Sequence, residues 1–114
     1  MSKLVNLTPH PVTLLDQDSG AKSELPGAKE PARVVERSGS AGLLTYEGLT
    51  IRSYLVSPTR EVTNLPEFQE GVVYVVSRMV CEALPERSDL LFPFILERDA
   101  ENYVIGCSAL GKIG

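Results

Sequence analysis

The stretch Gly71-Val72-Val73-Tyr74-Val75-Val76 places four valines and a tyrosine in succession, with no charged or amide side chain at either parity. A half-buried strand alternates apolar and polar residues, so a run that is apolar at both parities needs cover on both faces. β-Branched and aromatic residues also favour extended backbone. The run therefore predicts a central strand with packing on both sides. A continuous helix from Glu67 to Leu84 is the competing reading, because Val73, Val76, Val80 and Ala83 also form a helical stripe. The density of valine favours the strand. Ser77 can then cap a short helix, Arg78 to Leu84, with Met79, Val80 and Ala83 facing inward and Pro85 ending it.

The remaining pattern is mostly strand-like. Val5 to Leu15 reads as two short strands around a proline-flanked corner, stopped by the turn cluster Asp16 to Gly20. Ala21 to Pro31 is polar, with a turn at Pro26-Gly27. Ala32 to Arg37 predicts a strand with Arg33, Val35 and Arg37 on one face, followed by a loop at Ser38 to Gly42. Leu43 to Tyr46 and Leu49 to Val56 flank Glu47-Gly48, a hairpin signal. Ser57 to Glu70 reads as a long connection. Phe94 to Glu97 and Tyr103 to Cys107 predict a terminal hairpin, and Leu110 to Gly114 a frayed tail. These elements sum to one α+β domain over residues 1–114, a mostly antiparallel β-sheet with one short helix.

Composition removes several function classes. The net charge is −4, with Lys and Arg scattered, which argues against binding duplex nucleic acid through its phosphates. No apolar run is long enough for a membrane span, and the start Met-Ser-Lys-Leu-Val has no signal-peptide core, so a cytoplasmic location is expected. Cys81 and Cys107 lack metal-ligand or redox spacing and read as reduced, buried thiols. No metal or cofactor is expected.

The candidate binding residues lie at three places. Asn6, Thr8 and His10 share a ribbon stiffened by Pro9 and Pro11, which bias Thr8 and His10 toward extended backbone. His10 is the only histidine, suited either to a ligand or to locking the turn. Ser77 and Arg78 stand where the central strand gives way to the helix, and could meet an anion. Arg87 and Asp89 follow the stiff Pro85.

Several segments together resemble a family of short bacterial and phage proteins of undefined function. They are Asn6-Leu7-Thr8-Pro9-His10, Pro31-Ala32-Arg33-Val34, Leu65-Pro66 with Gln69 to Ser77, Pro85-Glu86-Arg87-Ser88-Asp89, and Arg98-Asp99 through Ile105-Gly106-Cys107, in that order. The resemblance implies a small single domain in a prokaryotic or phage cytosol and supplies no reaction. Gly27-Ala28-Lys29-Glu30 before Pro31 departs from the family pattern. The polar corner and the late Val-Val-Ser-Arg strand end are also similar in layout to small phage proteins that bind or degrade cyclic nucleotide signals, an analogy of arrangement only.

Two readings stand. In the first, the chain is a non-catalytic binding module for a host protein or a small anionic, nucleotide-like metabolite, compatible with a homo-oligomer. In the second, it is a small metal-independent nucleotide-processing enzyme, phosphodiesterase-like, using His10 with Arg78 or Arg87. A second acid or base for that enzyme is missing from the sequence.

Overall fold

In a computed structural model that describes residues 3–114, the chain runs through β1 (Lys3–Asn6), β2 (Val12–Leu15), β3 (Lys22–Leu25), β4 (Arg33–Tyr46), β5 (Leu49–Thr63), β6 (Val72–Val75), α1 (Arg78–Ala83), β7 (Leu90–Arg98) and β8 (Val104–Gly111). The predicted central strand is β6, held between β1 and β7 in a six-stranded sheet of order β1-β6-β7-β8-β2-β3. Its cover is two-sided. Tyr74 and Val76 pack with Ala32, Val80, Cys81, Leu90 and Phe92. Val75 points the other way, into a second cluster with Val12 and Cys107. Residues 67–84 are not one helix.

The chain is mostly β with one short helix, but the main sheet is mixed rather than mostly antiparallel. β1 and β7 both run parallel to β6, and β2 runs parallel to β8 at Leu14 and Cys107. The reason lies in the connections. Parallel neighbours need a crossover, and α1 supplies it between β6 and β7, capped by Ser77, whose Oγ accepts from the Val80 amide. Within α1, Val80 and Cys81 are buried, but Met79 faces out, 46% exposed, contrary to the predicted inward side.

Four further boundaries differ from expectation, one of them the start of β7, at Leu90 rather than Phe94. Lys22–Leu25 is a strand paired with β2, although its sequence is polar; it is an edge strand and needs little apolar surface. Leu110 and Gly111 pair with Pro93 and Phe92, and Ile113 packs against the core, so the end of the chain is ordered rather than frayed. The largest difference is the β4–β5 hairpin. Its 14- and 15-residue strands absorb both the predicted loop Ser38 to Gly42 and the start of the predicted connection after Val56. A register shift between Ser40 and Gly42, with Gly42 at φ +101°, lets the glycine-rich stretch continue as a bulged strand. The turn Glu47-Gly48 has φ +45° and +79°, as a two-residue type I′ hairpin requires.

Only the base of this hairpin joins the body, where Val34 and Val62 pack against the main core. The rest is an arm. The radius of gyration is 17.8 Å, whereas a compact chain of this length gives about 13 Å.

Candidate functional site

The Asn6 corner lies where the two edges of the main sheet meet. Asn6 ends β1 and is 7% exposed. Its Nδ2 donates to the His10 carbonyl at 2.9 Å and to the Leu25 carbonyl, at the end of β3, at 3.2 Å. Its Oδ1 accepts from the Thr8 amide at 2.9 Å and lies 2.6 Å from the Thr8 hydroxyl. An amide side chain has two donor hydrogens and two acceptor lone pairs, so Asn6 uses both donors and at least one acceptor site inside the fold. The Thr8 hydroxyl sits 2.9 Å from the His10 carbonyl as well, and its single hydrogen serves one acceptor at a time. Two backbone bonds complete the seam, Ala28 N to Thr8 O at 2.8 Å and Ala32 N to Leu7 O at 2.9 Å. Gly27 is the fourth member. A Cβ there would stand 2.8 Å from the Pro9 carbonyl oxygen, so only glycine lets the two segments touch.

The corner is therefore a latch between β1 and β3. His10 is its one outward group, exposed and with no hydrogen bond to its ring among the described residues. Among the described residues no carboxylate or hydroxyl is hydrogen-bonded to the imidazole, the arrangement that a general base acting on a nucleophile would need.

Ser77 and Arg78 are occupied locally. Ser77 is spent on the helix cap, and Arg78 Nε donates to Glu82 at 2.9 Å while its guanidinium lies 5.3 Å from the centre of the Phe92 ring. Arg87 and Asp89 form a tighter unit. The guanidinium donates to both carboxylate oxygens, at 2.8 and 2.7 Å, and to the Pro66 carbonyl at 3.0 Å. Asp89 is 2% exposed. The hydrogen bonds from Arg87 hold the Asp89 carboxyl below its usual range, and the same bonds hold Arg87 further toward the charged form. This pair ties the Leu65-Pro66 segment to the start of β7.

Cys81 and Cys107 are both free and buried. Burial raises both thiols, Cys81 to about 11, which keeps them protonated and unreactive near neutrality. Among the described residues no group of three His, Cys, Asp or Glu side chains converges as metal ligands, and no helix is long and apolar enough to cross a membrane. A cleft of about 580 Å³ between α1 and β5 is lined by Thr59, Arg60, Met79, Glu82, Ala83 and Pro85, and contains none of the seven candidate residues.

The surface that sequence reasoning missed is the arm. Leu43, Leu44, Tyr46, Leu49, Ile51, Tyr54, Leu55 and Val56 are 45–68% exposed. The signal was present: Leu43-Leu44 and Tyr54-Leu55-Val56 are apolar at both parities, as in β6, so they call for cover on both faces. Among the described residues of one chain nothing provides it. Compared with family models, characterised proteins and solved structures, the chain has no significant match.

Proposed function

We propose that this chain is a non-catalytic interaction module that binds a protein through its β4–β5 arm. The observation that carries this reading is the set of eight large apolar side chains on a two-stranded arm without a packing layer. At on the order of 100 Å² of exposed surface each, they offer roughly 800 Å² over the two faces of the ribbon, about one partner's share of a standard interface. A two-stranded ribbon is also marginally stable alone in water, so an arm of this length gains from being covered. The small-anion reading has less support, because Asn6, Ser77, Arg78, Arg87 and Asp89 are engaged within the fold. The enzyme reading has less still, because no described side chain is hydrogen-bonded to the His10 ring.

The test compares the full chain with a variant carrying Leu44→Thr, Tyr46→Thr, Leu49→Thr and Ile51→Thr, which keeps strand propensity while removing the apolar tip. Both are purified from their producing cells and measured by native mass spectrometry and hydrogen exchange. The parent is expected in a protein complex with slowly exchanging arm amides, and the variant free, with a body of unchanged melting temperature. A free parent chain with a rapidly exchanging arm would overturn the proposal.

A further inference from the structure

The register of the arm places five of its eight exposed apolar side chains on one face. Tyr46–Leu49, Leu44–Ile51, Gly42–Ser53, Gly39–Leu55 and Arg37–Ser57 are cross-strand partners. By alternation along β5 they share one face. On that face Gly42–Ser53 is the midpoint. Toward the tip lie two bulky pairs, and toward the base lie one pair containing glycine and one containing arginine and serine.

We infer that the occupant is a second copy of this chain, its arm laid antiparallel across the first about a two-fold axis through Gly42–Ser53. This inference rests on the arm being the interaction surface. A two-fold along the hydrogen-bonding direction sets β4 over β4 and β5 over β5. It brings Leu44 over Gly39, Ile51 over Leu55, Tyr46 over Arg37 and Leu49 over Ser57, and each contact occurs twice. Every bulky side chain therefore meets a small residue, another aliphatic one or, for Tyr46, a guanidinium that its ring face attracts. An interface built this way is isologous and closes after two copies.

Charge agrees with the shape. Between Glu36 and Ser57 the chain carries Glu36, Arg37, Glu47 and Arg52, two of each sign, while the whole chain carries −4. The arm is thus a surface on which two copies meet without the repulsion that acts between their bodies. In area, five exposed side chains of on the order of 100 Å² each bury roughly 1,000 Å² over two copies, the lower bound for a specific interface. Gly39 and Gly42 allow the two ribbons to approach closely.

Gly39 supplies a clean test. A Cβ at this position has no heavy atom within 4 Å, so Gly39→Lys is tolerated by the single chain but fills the space meant for the second copy's Leu44. Purified full-length protein is measured by sedimentation and light scattering. The parent is expected at twice the chain mass, and Gly39→Lys with dissociation at least about tenfold easier and an unchanged circular dichroism spectrum. In a second experiment, Ser53→Cys, placed at the axis, is treated with a short bis-maleimide and is expected to give a covalent dimer. A monomeric parent overturns the inference, as does a dimer indifferent to Gly39→Lys and not joined through position 53. A monomer whose arm is nevertheless protected in the complex from producing cells removes only the second copy. A monomer with an unprotected arm in both settings removes the interaction reading too.

Discussion

Truncating the two members of the Arg87–Asp89 pair should destabilise the protein by different amounts, and the structure gives the order. Arg87→Ala leaves a carboxylate that is 2% exposed without its two charge-assisted bonds. Removing one partner of a buried pair in this way costs about 3–5 kcal/mol, most of it the penalty for the charge left behind. Asp89→Ala leaves a guanidinium that is 22% exposed and still bonded to the Pro66 carbonyl. That group can turn partly toward water, so the expected cost is smaller, about 1–3 kcal/mol. Urea unfolding at pH 7 and one fixed protein concentration measures both. With an m value of about 1.5 kcal/mol/M, Arg87→Ala should lower the midpoint by roughly 2 M or more. Acidification separates the causes. In the parent, Asp89 has a depressed folded pKa, so the pair's contribution is complete above the ordinary aspartate range and is lost as pH falls through the folded value. In Arg87→Ala the unpaired, buried carboxyl titrates higher instead, so lowering the pH toward 4 neutralises it and narrows the gap to the parent. Equal costs for the two truncations, or both under about 1 kcal/mol, would place the pair with exposed ion pairs and refute the reasoning.

Asn6→Ala should cost about 2–4 kcal/mol, because it leaves Thr8, His10 and Leu25 backbone groups unpaired at the latch, while His10→Ala should stay within about 0.5 kcal/mol. Paired calorimetric melts check this; equal losses would make the imidazole part of the scaffold. Gly27→Ala should destabilise by about 1–3 kcal/mol, since its Cβ meets backbone at Pro9 and His10 rather than a movable side chain. Thiol labelling at pH 8 should be slow until urea is added, given the raised Cys81 and Cys107 thiols; rapid native labelling of either would contradict their burial.

What the sequence made legible follows from how local each signal is. The central strand, the Ser77 cap and the Glu47-Gly48 turn each depend on a few consecutive residues, and all three are present. Strand pairing does not depend on local residues. Whether β1 and β7 run parallel or antiparallel to β6 is set by crossovers and by contacts between Lys3–Asn6 and Val72–Val75, which no short window contains. Small residues at Ser38 to Gly42 read as a loop and so divide the arm in the sequence. The partner strand Ser53–Val56 holds them extended, an influence that only the register reveals.

The polar candidate residues are ambiguous in the sequence for a related reason. Asn, Thr, His, Arg and Asp in stiff segments are the residue types of a ligand site, and they are equally those that close a seam or anchor a loop. What separates the two roles is whether the polar atoms are already paired, a property of distant residues such as Leu25 and Pro66. The opposite holds for the arm. Its leucines and tyrosines look like core in the sequence, and that reading is sound as a statement about what they need. They require cover, the described residues of their own chain do not supply it, and the face formed by Leu44, Tyr46, Leu49, Ile51 and Leu55 has its bulk toward the tip and its space toward the base. Self-complementarity of that kind is written in the register of one hairpin, which is why Gly39, where an added Cβ would meet nothing in the single chain, is the most discriminating position to change.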